Sequence, residues 1–232
     1  MALFGKETPH VRIDELRSTT PEPIEAVAAG VGGFVIDAGE GPTGEARYCT
    51  SWSEFVDLYG GLRADMDGPW ELAGYWAQNR SLPAHIVRVV GDGAAKAAVT
   101  LADSSSVDTL TLTAWGEGVW GNELDVEVTD ASSTDDEDFF RLKLRRVDTT
   151  TGATREIDYG DVTMDQSSEY YAVDVVNAWD QWAVAGDESA GVRPANTGGW
   201  EELTGGLDGD APDDDDFIGS DAGGTRTGGY IL

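Results

Sequence analysis

Few residues of this chain have the types and spacing that catalysis requires. The two histidines are His10, in a polar N-terminal stretch, and His85, at the start of an apolar run. Neither has a serine, cysteine or aspartate placed beside it by the local sequence, so no catalytic triad is indicated. The single cysteine, Cys49, precedes a predicted helix, where a thiol can be activated. Without a partner base, we predict that Cys49 is a small, partly buried residue and that His85 is structural.

Carboxylates and glycines are abundant but do not form catalytic motifs. With 44 acidic residues, pairs suited to acid–base catalysis arise by chance, and they do not indicate a glycosidase. The glycine-rich stretches Gly30–Gly33 and Gly223–Gly229 match neither the phosphate-binding loop nor the dinucleotide-binding pattern. We therefore predict that the chain is not an enzyme and has no cofactor.

Two further clusters allow a binding role and a structural role. Asp208, Asp210 and Asp213–Asp216 could bind a hard cation through oxygen ligands, but the spacing is not that of an EF-hand loop, and a solvated surface loop explains it equally well. Trp115 and Trp120 flank a Gly-Glu-Gly turn. Exposed, they could stack on carbohydrate; buried, which is the commoner case, they would anchor a tight loop. We predict no metal site and a buried tryptophan pair.

The charge of the chain excludes several classes of partner. Its 232 residues have a formal net charge of −29, which opposes binding to nucleic acid or to anionic lipid. No apolar run approaches the ~20 residues of a membrane span, so we predict no stable membrane insertion. Aspartate dominates the acids, and only three lysines accompany 12 arginines. Because concentrated salt screens such repulsion, we predict a halophilic protein. An acidic protein of ordinary ionic strength and a partly disordered chain are the alternatives.

The elements predict a mixed α+β fold with an extended N-terminal arm. Residues 1–22 form the arm, with an alternating strand pattern at Val11, Ile13 and Leu16. Residues 23–92 follow as the first part of an α/β core domain, with a strand at Val31–Ile36 and a helix capped by Ser51 and Glu54. A second helix starts near Pro69 and runs to about Arg80, and a buried strand covers His85–Val90. Strands joined through helices predict parallel pairing.

The second half has a different character. Residues 93–202 are predicted to be an antiparallel β-rich insertion domain, with strands around Leu110–Ala114, Leu124–Val128 and Phe140–Leu144, a hairpin at Thr149–Gly152 and a short helix after Ser168. Residues 203–232 form an acidic, glycine-rich return segment into the core domain. Its last residues, Tyr230–Leu232, resemble the start of another strand, so we expect an unpaired sheet edge there.

The order of the motifs resembles that of contractile tail sheath proteins, which form the outer sleeve of myovirus-type tails and related injection systems. Six stretches follow one another in the order of that family. They are Pro23–Val27 with Gly32–Pro42, Thr50–Gly61, Ala77–Val89, Trp120–Val126 in a W-G-N-x-L-x-V pattern, Tyr170–Asn177 and Leu203–Gly209.

The resemblance implies a structural role. Sheath subunits polymerise helically around an inner tube and contract to drive it through a cell envelope. Their arms add strands to neighbouring subunits, which assigns Val11, Ile13 and Leu16 to a subunit interface. The implied partners are neighbouring sheath subunits, the inner tail tube protein, and the baseplate and tail terminator proteins. The implied location is a virion tail, assembled in the host cytoplasm, of an archaeal virus, or a cytoplasmic injection particle.

Two departures from the family pattern bear on this interpretation. The arm sequence Thr8–Leu16 lacks the aromatic PGVYVEE-like stretch that is usual in the family. The family also continues well past the position of Leu232, so the present chain corresponds to its N-terminal portion, or a second polypeptide supplies the C-terminal half. The alternatives to a sheath subunit are a secreted or surface β-rich carbohydrate-binding or adhesion module and a hydrolase that uses scattered carboxylates.

Overall fold

The computed structural model describes residues 30–78, 82–132, 137–149, 152–179, 182–188, 191–222 and 225–232. The arm strand of Val11, Ile13 and Leu16, together with His10 and Arg80, lies outside these ranges. Within them the chain has mixed α/β architecture, with three sheets of three or four strands, one two-stranded ribbon, four α-helices and two 3₁₀ turns.

The described elements have the following bounds. The strands are β1 (Gly32–Asp37), β2 (Ala46–Cys49), β3 (Ala84–Val89), β4 (Ala98–Ala102), β5 (Asp108–Ala114), β6 (Leu124–Asp130), β7 (Phe139–Val147), β8 (Thr154–Thr163), β9 (Ala183–Asp187), β10 (Glu201–Glu202), β11 (Asp221–Ala222) and β12 (Thr225–Arg226). The helices are α1 (Trp52–Tyr59), α2 (Gly68–Gln78), α3 (Ala172–Trp179) and α4 (Asp214–Ile218), with 3₁₀ turns at Val119–Glu123 and Gly228–Ile231.

The first sheet has the strand order β1-β3-β2. The predicted parallel pairing of β1 with β3 is confirmed, since Gly32 pairs with Ala84 and Asp37 with Val89. β2, which the sequence pattern does not predict, runs antiparallel to β3 and makes the sheet mixed. Its four residues are too few to show a clear period, and β2 ends just before the N-cap of α1.

Helix α1 begins and ends where the local sequence predicts. The hydroxyl of Ser51 accepts the backbone N–H of Glu54 at 3.3 Å, and Gly60 ends the helix with a φ of +85°. The Glu54 carboxylate does not return to Ser51 but accepts the backbone N–H of Thr50, one residue earlier, at 2.8 Å. The apolar face of the helix stops at Tyr59, and Leu62 lies beyond the helix and is exposed.

The β-rich half contains two sheets, with strand orders β4-β5-β9 and β10-β6-β7-β8. All their pairings are antiparallel, and the predicted hairpin joins β7 to β8. The apolar strands on either side of the tryptophan turn, β5 and β6, lie in different sheets and do not pair with each other. The 3₁₀ turn Val119–Glu123 carries the chain from one sheet to the other.

The solvent-facing side of β7 carries the largest group of cations in the described chain. Alternation places apolar residues such as Leu142 on the core side and charged residues on the other. Arg141, Lys143 and Arg145 on this side pair with Asp158, Glu156 and Asp125. Arg146, which follows on the side of Leu142 at the end of the strand, pairs with Glu123. We refer to these pairs as the charge ladder.

The prediction of a strand at Tyr230–Leu232 is wrong, because this segment forms the 3₁₀ turn Gly228–Ile231. The hairpin of β11 and β12 reverses the chain just before it, and Gly228 then adopts a φ of +52°, which an extended strand does not allow. Leu232 lies against β1, where a Cβ atom on Gly33 would come within 3.4 Å of its side chain.

Two apolar clusters make up the core. One joins the first sheet to α1 and α2 through residues such as Ile36, Phe55 and Trp76. The other lies between the two β-rich sheets and α3, and includes Leu112, Phe140 and Val176. Both clusters belong to one compact unit, Val31–Leu232.

Candidate functional site

The residues with catalytic potential are not brought together. His85 is exposed and packs against Tyr48, with ring centroids 5.1 Å apart. Cys49 is fully buried as the last residue of β2, and burial, reinforced by the charge of Glu54, raises the pKa of its thiol to about 12. A thiol with this pKa stays protonated at neutral pH and is a poor nucleophile. The structure confirms Cys49 as a small buried residue, though more deeply buried than predicted.

The acidic cluster is used for hydrogen bonds to the backbone. Asp213 caps α4 by accepting the N–H groups of Asp215 and Asp216, and the carboxylate of Asp216 accepts the N–H of Asp213 in return. Asp208 accepts the N–H of Val119 at 2.8 Å. In the described ranges, no three histidine, cysteine or acidic side chains are grouped so that they could hold a metal ion.

The chain leaves the first sheet for the β-rich half and later returns from it at the same place. The outgoing strand segment and the returning segment run side by side. The N–H of Ala95 donates to the carbonyl of Leu207 at 2.9 Å, and that of Ala98 to Thr204 at 2.8 Å. We refer to these paired segments, residues 91–98 and 203–210, with the loops that contact them, as the junction.

Two of the family-like motifs meet at the junction. The side chain of Asn122, in Trp120–Val126, makes reciprocal hydrogen bonds with the backbone of Gly206, in Leu203–Gly209. Its Nδ2 donates to the Gly206 carbonyl at 3.0 Å, and its Oδ1 accepts the Gly206 N–H at 2.9 Å. The carboxylate of Asp208, from the second motif, holds the start of the 3₁₀ turn. The two motifs therefore fold as one structural unit despite their separation in sequence.

A buried arginine connects the first sheet to the junction. Arg88 is only 3% exposed, although it lies in an apolar strand. Its Nε donates to the carbonyl of Ala38 and its Nη1 to that of Gly41, both at 2.8 Å. Burial lowers the pKa of Arg88, and the charges of carboxylates such as Glu117 oppose this shift. The guanidinium stays charged, because an arginine pKa remains far above neutral.

The turn held by Arg88 also contacts the β-rich half directly. The carbonyl of Gly41 lies so close to Gly116 that a Cβ atom there would be 1.8 Å from the oxygen. The hydroxyl of Thr43 donates to the carboxylate of Glu117. This close backbone approach explains why the turn between Trp115 and Trp120 contains glycine.

A second buried charge, Glu40, lies beside this contact. Its Oε2 is 2.5 Å from Nη1 of Arg146, which also pairs with Glu123. Burial raises the pKa of Glu40 even though Arg146 favours its ionised form. Glu40 and Arg146 thus link the first sheet to the charge ladder by an ion pair largely shielded from water.

The tryptophan pair is divided between two environments. Trp120 is buried, as predicted, and its indole N–H donates to the carbonyl of Glu117 at 3.1 Å. Trp115 is half-buried, with the guanidinium of Arg47 4.4 Å from its ring centroid. The structural roles of Arg88, Glu40 and Asn122 are not among those predicted from sequence. A lone arginine within an apolar strand was the signal available for Arg88, because an unpaired charge is not buried without a structural purpose.

β1 and β2 are the outer strands of the first sheet, and no further strand within the described ranges pairs with either of them. Residues Val11, Ile13 and Leu16 lie outside the described ranges, so their assignment to a subunit interface stays a prediction. None of the helices in the described parts of the chain combines the length and apolar composition needed to cross a membrane.

Comparisons with known proteins find similarity at the level of backbone arrangement. Protein-family models and curated proteins yield no match. Among solved structures, a sheath tail protein from Desulfitobacterium hafniense is similar, with 20% identity, 79% of this chain covered and a TM-score of 0.46. A sheath tail protein from Listeria innocua shows 16% identity, with the same coverage and TM-score. The chain covers 36% of each of these two proteins, so it spans about a third of their length.

Proposed function

We propose that this chain is a structural subunit of a contractile tail sheath, which polymerises helically around an inner tube and contracts to drive the tube through a cell envelope. The observation that carries the proposal is the contact between Trp120–Val126 and Leu203–Gly209. Both stretches occur in the order of the sheath family, and both hold the junction.

The proposed organisation divides the chain at the junction. Residues 23–92 are the first part of a core domain, residues 93–202 an insertion domain, and residues 203–232 the return into the core. The two separate apolar clusters support this division. The paired junction segments support it as well, because they enter and leave the insertion side by side.

The proposed partners follow from the same role. They are neighbouring copies of this chain, the inner tail tube protein, and the baseplate and tail terminator proteins. The proposed location is a virion tail assembled in the host cytoplasm, or a cytoplasmic injection particle. In this proposal no nucleic acid is bound directly.

The arm is proposed to add a strand to an open sheet edge of a neighbouring copy. Residues 1–22 contain three basic and four acidic side chains, whereas the whole chain has 15 and 44. A nearly neutral arm can approach an acidic neighbour without the repulsion that separates two acidic bodies. The alternation of Val11 and Ile13 suits addition to an edge by backbone hydrogen bonds.

Electron microscopy of the chain in multimolar salt, alone and with co-purifying partners, tests the proposal. We expect rings or striated tubes, and we expect deletion of residues 1–18 to abolish them while leaving the remaining chain folded by circular dichroism. Dispersed particles under all these conditions would contradict the sheath proposal, and normal tubes from the deletion variant would contradict the arm proposal.

A matched pair of arm variants makes the test sharper. The double variant Val11→Ser with Ile13→Ser removes one face of the proposed strand, and Arg12→Ser with Asp14→Ser changes the opposite face without altering the net charge. Only the first pair should block polymerisation, because successive side chains of a strand point to opposite faces. Equal loss in both pairs would indicate that the arm does not pair as a strand.

A further inference from the structure

A cleft lined by three tryptophans lies beside the Glu40–Arg146 ion pair. It has two adjoining lobes of about 260 and 240 Å³. Five side chains line both lobes: Glu40, Asp57, Arg146, Arg155 and Trp182. Trp115 and Trp120 complete the first lobe, and the second extends towards the C-terminal end of α1 and the β7–β8 hairpin.

The tryptophans come from separate segments, and a backbone hydrogen bond joins two of them. The N–H of Trp115 donates to the carbonyl of Trp182 at 2.8 Å, which fixes the two residues next to each other. Arg47 stacks on Trp115 but does not line the cleft, so the cleft meets another part of that indole. Trp182 has a φ of +63°, a backbone conformation that a bulky side chain rarely adopts and that tends to cluster at functional sites.

The polar groups of the cleft are nearly balanced in charge. Two acids and two arginines line both lobes, and Asp148 adds a third acid to the second lobe, in a molecule whose net charge is −29. Asp57 and Arg155 are largely exposed and 3.7 Å apart. Oε2 of Glu40 is buried and pairs with Nη1 of Arg146 at 2.5 Å. The cleft thus offers hydrogen-bond acceptors and donors of both charges.

We propose that this cleft binds a neutral saccharide. The C–H faces of sugar rings pack on indoles, and their hydroxyl groups donate to carboxylates and accept from guanidinium N–H groups. Each lobe is somewhat smaller than the roughly 300 Å³ at which pockets for drug-sized ligands begin, which restricts the ligand to about one sugar ring per lobe. The two adjoining lobes therefore suit a disaccharide or the end of a longer glycan.

Charged ligands fit the same cleft less well. An anion would approach a strongly acidic protein and meet three carboxylates, and a cation would meet two guanidinium groups. A purely apolar ligand would remove these polar groups from water without giving them hydrogen bonds, which costs free energy. A neutral molecule with hydroxyl groups satisfies both constraints.

The binding test uses the full chain in molar potassium chloride. A panel of neutral oligosaccharides of hexoses and N-acetylhexosamines is screened first, and isothermal titration calorimetry follows with the members that bind. We expect saturable binding of at least one disaccharide. We expect Trp182→Ala to weaken it about tenfold or more, since an aromatic contact contributes on that scale.

Matched variants separate loss of binding from loss of folding. Arg155→Ala removes a side chain that is 70% exposed and should weaken binding without affecting stability. Trp70→Ala, at an indole that is 55% exposed and does not line the cleft, should leave binding unchanged. Failure of every panel member to bind would overturn the proposal, as would binding that neither Trp182→Ala nor Arg155→Ala weakens. Because binding is measured on dispersed chains, this result is independent of whether the chain forms tubes.

Discussion

At the junction, the close approach of two backbone segments decides which side chains are tolerated. Arg88 replaces the water that the carbonyls of Ala38 and Gly41 would otherwise bind. The carbonyl of Gly41 then lies against Gly116, where no side chain fits. An unsatisfied buried carbonyl costs about 1–3 kcal/mol, so Arg88 stabilises the turn even though its own charge is costly to bury.

We predict that Gly116→Ala strongly destabilises the protein. The new methyl group would lie 1.8 Å from the Gly41 oxygen, and relief requires a backbone shift on one side of the junction. Such overpacking costs about 3 kcal/mol. Chemical denaturation in high salt measures the change. Gly186→Ala is the control, because nothing lies within 4 Å of its added methyl group. Similar unfolding free energies for the two variants would show that the close approach is not maintained in solution.

At the scale of elements, local signals and cross-strand charges set the structure. Helix α1 has an N-cap, a C-terminal glycine and two buried aromatic residues, Phe55 and Tyr59, on one face. The charge ladder surrounds the cationic strand β7 with acids, so each pair favours this register over a slipped one.

Ser51→Ala should lower the free energy of unfolding by about 1 kcal/mol, because the hydroxyl of Ser51 caps the N–H of Glu54. Ser53→Ala, two residues later and exposed in the first turn of the helix, should be neutral or slightly stabilising, because alanine has the higher helix propensity. Urea titration in high salt compares the two. If both variants lost the same stability, the cap would not contribute.

The charge ladder predicts a specific response to acid. Hydrogen bonds from Arg141 hold the pKa of Asp158 below its ordinary value of 3.8. Its ionised form therefore stabilises the fold above that pH, and the contribution is lost as the pH falls through the lower pKa of the folded state. We expect Asp158→Asn to be less stable than the natural chain at neutral pH, with a difference that shrinks below pH 3.8.

Thermal melting across an acid pH series, at fixed salt, measures this difference. Asp108→Asn, the same chemical change at an exposed position of β5, serves as the control and should show no such convergence. A difference for Asp158→Asn that stayed constant across the series would mean that the Arg141 contact does not act through the charge of Asp158.

At the scale of the whole molecule, net repulsion outweighs local pairing. The exposed ion pairs contribute at most about 1 kcal/mol each, whereas the excess of 29 negative charges acts across the entire surface. Salt weakens both the ion pairs and the net repulsion. At about 1 M salt, however, the screening length falls to about 3 Å and the long-range repulsion nearly vanishes. We therefore expect concentrated salt to favour folding.

We predict that the melting temperature rises steadily with potassium chloride and that the cooperative transition is lost in salt-free buffer. Circular dichroism melts across a salt series measure this. Sodium and potassium chloride should act alike, because screening depends on ionic strength. Retention of a cooperative transition without salt would contradict the halophilic hypothesis.

Several parts of the fold follow from sequence because their causes are local. The strand β1, the helices α1 and α2, and the β7–β8 hairpin each carry their own period, cap or turn residues within a short stretch. The candidate site is different. Arg88, Glu40 and Asn122 act through carbonyls and charges that are far away along the chain, and no local pattern reveals such partners.

The sequence by itself determined the acidic surface, the order of the main elements and the change from an α/β half to a β-rich half, because charge, periodicity and turn chemistry are properties of neighbouring residues. Only the tertiary structure decided that β5 and β6 enter separate sheets and that the chain ends in a 3₁₀ turn rather than a strand. It also decided that three tryptophans line one cleft. The physical reason is that strand partners, buried charges and cavities depend on which distant surfaces pack together. The free energy gained by burying apolar surface depends on the packing of the whole chain rather than on any one segment.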